Sequence, residues 1–571
     1  MRWTRPSSTP CGRPPRRTSA APRRPSPAMA DELPAPAPPP PLDPTRHARA
    51  NRSILRSAGV MTVMTLVSRV LGLVREQVRA IYIGTGAASD AFGLAATIPN
   101  LLRRLLAEGA TTAAFIPVFT EYLRRGDKEE TRQFLSRFFT LMTLVVVAVT
   151  ILGVILTPWL IETFFSSRFR EVPGKVALTI ALTELMWPYL TFVSLAAMIQ
   201  AVLNAHKIFG PSAFTPVLLN LAIIACTIAF AGVVADPSYA LVIGFLVGGV
   251  LQIIFQIPYL FKHTPNRWGI DFTFGPGVRR VARIMGPGIF AAGVYQINVF
   301  VSQLIASGLE GGSIASLQYS VRLQELVLGL FVISVAQVIL PSLSEHTADG
   351  DDEAVKETLG YSARLISFVT LPATAGLIVV GPTIIRLLFQ SGEFDAASTA
   401  QTAFALQFHA MGLLFIGQAR ILQQVFFAYK DMKTPTIVGA IVAVVNIALC
   451  YALAVPLGNG GIALAGSVAS AVNTALFVWL LRRRLGPLGL APVFGRIARM
   501  LVATAAMVGA VVVWDLVWPA ASVERRWLLL FWVLGVVVIA SASYIGACAL
   551  LKANEFAGIW RSLRRRFKRR R

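Results

Sequence analysis

Apolar stretches of about 20 residues recur along most of this 571-residue chain and constrain its fold more than any other feature. A helix of that length spans the roughly 30 Å hydrocarbon core of a bilayer. Hydrophobic residues make up 55% of the chain and charged residues 14%, whereas about 25% of a soluble domain is charged. We therefore predict an all-α polytopic membrane protein with about fourteen transmembrane helices. The predicted helices are 55–82, 88–122, 135–165, 176–205, 212–235, 239–261, 282–307, 312–343, 360–389, 397–428, 435–456, 460–483, 497–517 and 526–552.

Positive charge is concentrated in the short segments that follow the even-numbered predicted helices, such as 124–128 and 430–433. The opposite turns IGTGAAS and PLGNGG contain neither Lys nor Arg. The positive-inside rule places the charged segments and both termini in the cytoplasm. Two segments on the predicted outer side break the pattern, since they contain Arg168, Arg170, Lys175, Arg525 and Arg526.

A formal net charge of +24 would suit nucleic acid binding, but the charge lies in membrane-flanking segments and in the two tails. Anionic lipid headgroups attract such segments, so we expect anionic membrane lipid at the cytoplasmic face as a partner and no nucleic acid. Residues 1–50, rich in Pro and Arg, are predicted to be a disordered tail, and residues 553–571 a basic cytoplasmic tail. The four cysteines lack the spacing of a metal site, and we expect no metal and no cofactor.

Three proline pairs with one spacing indicate an internal duplication. The pairs, each 224 residues apart and each near a predicted helix end, are Pro117 with Pro341, Pro158 with Pro382 and Pro211 with Pro435. A copy of six helices begins and ends on one side of the membrane, so both copies share one orientation. Parallel repeats pair about an axis along the membrane normal and hold substrate between them. We predict two six-helix lobes, 55–262 and 280–485, followed by two additional helices at 497–552.

The segment from Ser68 to Pro117 carries charge inside predicted transmembrane helices. A charge at the bilayer centre costs roughly 2.5–3.5 kcal/mol, so such residues normally face a protein interior or a water-filled cavity. Arginine binds phosphate bidentately and keeps its proton when buried. The segment therefore predicts a cationic cavity for a phosphate-bearing substrate. Its charged residues include Arg69, Arg75, Arg79, Asp90, Arg103, Arg104 and Glu108.

This charge is not a general property of the repeated unit. Under the 224-residue offset, Arg104 aligns with Leu328. The eighth predicted helix instead has its own pair, Arg322 and Glu325, whose i, i+3 spacing allows an ion pair on one helix face. The charge therefore serves a function rather than the shared scaffold.

Several motifs of this chain are similar to those of the MurJ/MviN lipid II flippase family, over roughly residues 55–485. The motifs are SRVLGLVRE, ASDAF, IPNLLRRLLAEGA, AFIPVF, YSVRLQEL, ILPSLS and FFAYKDMKTP. The resemblance implies a MATE-like fold of the MOP superfamily in the bacterial cytoplasmic membrane. It also implies a transporter, not an enzyme, which moves lipid II from the inner to the outer leaflet by alternating access through a cationic central cavity. Lipid II is undecaprenyl-pyrophosphate-linked disaccharide-pentapeptide; cell-wall synthesis proteins are further candidate partners.

The resemblance also assigns roles to individual residues. It implies substrate binding by Arg69, Arg75, Arg103, Arg104 and Arg322, and gating or salt-bridge roles for Asp90, Glu108 and Glu325. A sodium site known in some members uses acids in helices 7 and 11. The corresponding helices here offer Gln303, Asn446 and other neutral polar residues without an evident carboxylate, so the sequence leaves the energy source open between membrane potential, sodium and protons.

Structural roles compete with these assignments. Arg79 lies near the outer end of the first helix. It is interpreted as an interfacial residue whose long side chain extends so that the guanidinium reaches the lipid headgroups. Asp90 either caps the N-terminus of its own helix or contacts an arginine. Glu108, four residues after Arg104, either holds that side chain in a salt bridge or acts in gating.

Three alternative functions are weaker. The first is a related exporter of the same fold, which carries either O-antigen lipids or drugs. Drug export is disfavoured, because a pocket for cationic drugs needs acidic and aromatic residues. A polyprenyl-linked glycosyltransferase would need acidic residues in a large outer loop, and the outer loops are short. The third alternative is a membrane scaffold that binds other proteins without transporting a substrate. Homologues with that role carry folded soluble appendages, whereas both tails of this chain are predicted to be disordered or short.

Overall fold

The computed structural model of the protein describes residues 44–105, 110–264 and 268–553, and these residues form helices and turns without a β-strand. The helices of the first half are α1 Pro44–Ile83, α2 Ala87–Arg103, α3 Ala110–Arg125, α4 Lys128–Phe164, α5 Ser167–Glu171, α6 Lys175–Ala205, α7 Gly210–Phe230 and α8 Pro237–His263. Those of the second half are α9 Pro276–Ala306, α10 Ser313–Val327, α11 Ile333–Ala348, α12 Asp352–Val379, α13 Gly381–Phe389, α14 Ala396–Met411, α15 Leu413–Ala428, α16 Lys433–Leu485, α17 Ala491–Val517 and α18 Arg526–Leu550.

Parts of the predicted tails and one predicted site residue lie outside the described residues, namely 1–43, 554–571 and Glu108. Residues 44–50, predicted to be disordered, instead form the start of α1. Pro44 suits the first turn of a helix because its missing N–H would have no helical partner there. No further proline follows within this helix, so nothing in the sequence interrupts it.

Within the described ranges, nine helices are long and apolar enough to cross a membrane, or eleven when each of two bent pairs is taken as one span. Each of α2 and α3 has fewer than 18 residues, and α1 carries four charged residues between Arg69 and Arg79. The 53-residue α16 covers two predicted helices and is broken at Gly458, whose φ is 56°. The polytopic all-α class is confirmed, whereas the number fourteen stays a prediction.

Equivalent positions of the predicted duplication adopt equivalent local structures. Gly126 and Gly350, 224 residues apart, both have left-handed backbone conformations, with φ of 76° and 72°. The next residues, Asp127 and Asp351, both cap a helix by accepting backbone N–H groups with their side chains. A carboxylate at this position satisfies donors that have no partner within the helix. The match supports the duplication, and the division into two lobes stays a prediction.

Each half is organised around one long helix. In the first half α6 packs against α2, α4 and α8, and in the second half α16 packs against α9, α14 and α15. Helix α9 belongs to both, since Val278 joins the apolar cluster of Phe115 whereas Ala306 joins that of Ala463. The predicted lobe boundary at residue 280 therefore falls within a helix that packs on both halves. Helices α17 and α18 pack against α12 and α13.

Contacts between the segments that connect the helices show which of these segments lie at the same end of the bundle. At the first end, which we name the α1–α2 end, the backbone N–H of Glu393 donates to the carbonyl of Ile81 at 2.9 Å. At the other, the α3–α4 end, Arg280 pairs with Glu121 at 2.6 Å. This sorting agrees with the predicted alternation of the turns. Which end faces the cytoplasm stays a prediction.

Two helices change their geometry beside the centre of the bundle. A π-helical segment, Leu328–Val332, separates α10 from α11, and Arg104 and Leu105, just after α2, are also π-helical. Arg104 and Leu328 are again 224 residues apart. A π-helical turn inserts one residue into a helix and is frequent at functional sites.

Candidate functional site

An internal cavity of about 1060 Å³ lies between the two halves. Its wall extends from Phe92 and Ile462 towards the α1–α2 end to Met432 and Pro435 towards the α3–α4 end. The charged residues of the wall are six arginines and two glutamates: Arg75, Arg79, Arg103, Arg104, Arg322, Arg420, Glu76 and Glu325. The described wall therefore carries an excess of four positive charges over negative ones.

Glu76 is the centre of an ion-pair cluster on this wall. Its side chain is 7% exposed and pairs with Arg75 at 2.5 Å, with Arg322 at 3.6 Å and with Arg79 at 3.7 Å. Arg322 also pairs with Glu325 at 2.9 Å, in the i, i+3 geometry expected from their spacing. The cluster joins α1 of the first half to α10 of the second half. Glu76 was missed in the sequence, although it follows Arg75 directly in the motif VRE.

Arg79 does not reach a membrane interface, contrary to its interpretation from sequence. It is 6% exposed, and its guanidinium donates to Gln318 Oε1 at 3.0 Å and to both the carbonyl and the hydroxyl of Ser89 at 3.1 Å. It also lies over the rings of Phe92 and Tyr319, at 5.1 and 4.9 Å from their centroids. The interpretation was wrong because a snorkelling arginine and a buried one occupy the same sequence position, and only the packing of α2 and α10 distinguishes them.

Arg103 and Arg104 both contribute to the cavity wall. The Nε of Arg103 donates to Asn100 Oδ1 at 3.0 Å, which fixes part of its side chain. Arg104 is exposed and lies where the helix becomes π-helical. The predicted partner of Arg104, Glu108, lies outside the described residues.

Arg69 lies apart from the cavity wall. Its guanidinium packs against Gly329, where an added Cβ would be 2.0 Å from Arg69 Nη1. Six residues on a helix correspond to about 9 Å along its axis, which separates Arg69 from Arg75 and from the cluster at Glu76. The structure thus brings together Arg75, Arg322 and Glu325, lines the same cavity with Arg103 and Arg104, and places Arg69 beside the π-helical segment.

Asp90 occupies a buried position at the α1–α2 end, where it joins the two halves. It is 2% exposed and pairs with Lys175 Nζ at 2.8 Å. Its carboxylate oxygens also accept the backbone N–H groups of Gly312 at 2.9 Å and Ala315 at 3.0 Å. Asp90 therefore caps α10 in the other half rather than its own helix, and its charged partner is a lysine rather than an arginine.

Lys175 explains one exception to the charge pattern of the predicted outer segments. It is 5% exposed, and its ammonium lies 4.4 Å from the centroid of the Phe169 ring. The lysine belongs to the interior of the bundle and balances the charge of Asp90, so it does not act as a loop charge. The sequence contains no signal that would predict the contact between Lys175 and Asp90, which lie 85 positions apart.

Further hydrogen bonds close the α1–α2 end around Asp90. The Tyr319 hydroxyl donates to the carbonyl of Gly84 at 3.2 Å, and Thr85 Oγ1 donates to Ser398 Oγ at 2.7 Å. We call these contacts, together with those of Asp90, the polar seal. Apart from the Asp90–Lys175 pair, which lies within the first half, each of these contacts joins the first half to the second half, so the cavity is closed at this end.

A bundle of apolar helices around an arginine-rich cavity defines a polytopic membrane protein with a charged internal cavity. The fold is similar to that of an inward-facing multidrug resistance MATE family transporter of the MOP superfamily, with a TM-score of 0.63 and 15% identity over 76% of this chain and 99% of that chain. The chain belongs to the lipid II flippase MurJ family, whose model matches residues 79–538.

Individual members of the family are similar along most of their length. The probable lipid II flippase MurJ of Treponema pallidum (strain Nichols) is 36% identical over 450 residues, which cover 76% of this chain and 83% of that protein. A solved structure of lipid II flippase MurJ in an inward closed conformation has a TM-score of 0.71 and 26% identity, covering 86% of this chain and 98% of that one. The resemblance read from the sequence motifs is confirmed, and the chain is a multi-pass protein of the bacterial inner membrane.

Proposed function

We propose that this protein moves lipid II from the inner to the outer leaflet by alternating access through its central cavity. The observation that carries the proposal is the arginine cluster around Glu76, at the junction of α1 and α10. The names of the family's members supply the substrate, and the cavity supplies groups that suit its pyrophosphate. Arg75, Arg103, Arg104 and Arg322 are the proposed pyrophosphate ligands, and Arg69 is proposed to contact the substrate beside the π-helical segment.

The chemistry of the cluster supports binding and release of a pyrophosphate. Arginine presents a planar fork of donors that matches phosphate oxygens. Glu76 and Glu325 already hold Arg75 and Arg322, so an incoming pyrophosphate competes with two carboxylates rather than meeting bare cations. Such competition lets the arginines exchange partners, and the same carboxylates can displace the substrate when the halves rock apart.

The arrangement of the two ends supports a direction of transport. The polar seal closes the α1–α2 end, and the cavity wall reaches Met432 and Pro435 towards the α3–α4 end. Under the positive-inside rule, the sealed end is the outer one. The protein then receives lipid II from the cytoplasmic leaflet in this state and releases it after the seal has opened.

A drug antiporter is the competing function suggested by the MATE-like fold. That likeness has 15% identity and concerns the fold alone. A cavity with six arginines and two glutamates repels cationic drugs by its net charge, and this disfavours drug export.

Complementation of a flippase-depleted strain, with the leaflet location of lipid II as the readout, tests the proposal. We expect Arg322→Ala and Arg104→Ala to abolish growth support at normal protein level. Arg322→Lys should restore it poorly, because an ammonium lacks the bidentate fork. Arg168→Ala, which removes an exposed arginine outside the cavity wall, is the matched control and should be tolerated. Full growth support from both cavity alanine variants would overturn the proposed role of the cluster.

A further inference from the structure

The cavity wall has a second, uncharged polar part on α9 and α16. Its residues are five carboxamides: Gln296, Asn298, Gln303, Asn446 and Asn473. We call this part the amide wall. Neither α9 nor α16 contributes a charged residue to the described cavity wall, so this surface differs in chemistry from the arginine cluster on α1, α2 and α10.

The amide wall is short of hydrogen-bond partners. Among the described residues, the side-chain oxygens of Gln296, Gln303, Asn446 and Asn473 are buried and accept no hydrogen bond. Two of these residues are more than nine-tenths buried, with exposures of 6% for Gln296 and 7% for Asn446. Most buried polar atoms in proteins have a partner, and an unmet buried acceptor costs free energy.

Two carboxamides elsewhere in the same wall are satisfied. Gln318 accepts from Arg79 and donates to the carbonyl of Gly93. Asn100 accepts from Arg103 and donates to a backbone carbonyl of its own helix. Among the carboxamides of the described cavity wall, those with a buried oxygen that has no partner all belong to the amide wall. Outside the cavity wall, Asn204, Gln252 and Gln256 have unmet oxygens as well.

The unmet groups favour a neutral guest that has both donors and acceptors. A carboxamide offers two N–H donors and a carbonyl acceptor, and a half-turn of its terminal group exchanges them with little change of shape. Hydroxyl groups of sugars and amide groups of peptides match such a surface. Phosphate matches it less well, because phosphate oxygens can accept from the N–H groups but cannot donate to the carbonyl oxygens, which would stay unmet.

The cavity therefore has one wall for an anion and another for an uncharged hydroxyl- and amide-bearing group. We propose that the amide wall is a separate subsite that binds the disaccharide-peptide headgroup of the transported lipid, while the arginine cluster binds its pyrophosphate. This inference rests on the proposed function, because it divides one substrate between two parts of one cavity.

Binding of two lipid probes to the full-length protein in nanodiscs tests the subsite. The probes are lipid II and undecaprenyl pyrophosphate, which share the pyrophosphate and differ in the headgroup. We expect the double variant Gln296→Met with Asn446→Leu, which keeps side-chain volume, to weaken lipid II binding on the order of tenfold, as for two lost hydrogen-bonding groups. Undecaprenyl pyrophosphate binding should stay within about twofold of the unmodified protein.

Three controls separate the outcomes. Arg322→Ala should weaken both probes, and Gln133→Met, at a glutamine outside the cavity wall, should weaken neither. Because the double variant removes buried polar groups, thermal unfolding and gel filtration check its folding. Asn473→Leu, at a less buried position of the same wall, provides a second variant for which the same selective loss is expected.

If the amide variants bind both probes as tightly as the unmodified protein does, the subsite is overturned. The proposed role of the arginine cluster is then unaffected. Equal weakening of both probes by well-folded amide variants would overturn the subsite as well, because the wall would then not recognise the headgroup. A loss of lipid II binding that occurs in sodium buffer and disappears in potassium buffer would also overturn the subsite. It would indicate that these oxygens bind a sodium ion. Failure of the unmodified protein to bind lipid II would instead contradict the proposed function.

Discussion

At the scale of single residues, Glu76 decides how the cavity arginines are arranged. Three arginines lie within 4 Å of its carboxylate, at 2.5, 3.6 and 3.7 Å. Like charges so close together repel one another, and a carboxylate between them offsets part of that repulsion. Arg79 has the deepest position of the three and connects Glu76 to Gln318 and Ser89. It therefore acts as a structural member of the cluster, whereas Arg322, with 46% of its side chain exposed, is available to a substrate.

This difference in burial predicts that Arg79→Ala is not tolerated. The change removes one charge partner of Glu76 and leaves Gln318 and Ser89 without their donor, and breaking a buried ion pair from one side costs roughly 3–5 kcal/mol. We expect a lower thermal midpoint of the purified protein and loss of growth support. Arg322→Ala should reduce transport with a much smaller shift of the midpoint. An Arg79→Ala protein with unchanged stability and full growth support would restore the interfacial interpretation of this arginine.

At the scale of elements, the π-helical segment Leu328–Val332 presents a glycine to α1. Gly329 allows the guanidinium of Arg69 to lie directly against the helix, since any Cβ there would meet Nη1 at 2.0 Å. The guanidinium is the end of a flexible side chain, so it can move aside without disturbing the helix. The glycine of this segment thus leaves the space that the guanidinium of Arg69 occupies.

We predict that Gly329→Ala displaces Arg69 and reduces transport while leaving stability within about 1 kcal/mol of the unmodified protein. A double-mutant cycle with Arg69→Ala measures the link, because residues that act through one contact are not additive. In the Arg69→Ala background, Gly329→Ala should have no further effect on growth support or lipid II transport. Additive losses would show that the glycine acts independently of the arginine.

At the scale of the whole molecule, the polar seal holds the two halves together at the α1–α2 end. Asp90 is its centre, because one carboxylate meets a lysine of its own half and two backbone N–H groups of the other. Hydrogen bonds to charged groups contribute roughly 1.5–3 kcal/mol each. A seal made from a few such bonds is strong enough to favour one state and weak enough to be broken during the proposed transport cycle.

Asp90→Asn should therefore open the α1–α2 end more often. A Thr85→Cys reporter in a background without native cysteines detects this opening, since Thr85 is 6% exposed in the sealed state. The reporter removes the bond of Thr85 to Ser398, and this loss is common to every variant compared. We expect labelling by a membrane-impermeant maleimide to become on the order of tenfold faster, the factor that corresponds to about 1.4 kcal/mol. Asp236→Asn is the matched control, because Asp236 caps its own helix α8 and does not join the halves. Equal labelling rates in both variants would show that Asp90 does not hold the seal.

The sequence by itself determined the features that depend on local or periodic properties. Long apolar stretches predict helices that cross a membrane because burying apolar side chains in lipid requires no particular partner. The 224-residue offset aligns Asp127 with Asp351, and both cap a helix because a helix cap is a local structure. Arginines inside apolar helices indicated a charged cavity, because their cost in lipid excludes most other environments.

The tertiary structure alone decided which charges meet. Lys175 and Asp90 lie 85 residues apart, and the acceptance of α10 backbone donors by Asp90 depends on the packing of two halves. Arg69, Arg75 and Arg79 look alike in sequence, yet one lies against Gly329, one lines the cavity and one is buried beneath Phe92. The free energy of a charge depends on distances to its partners and on its removal from water, and neither quantity exists until the helices have packed.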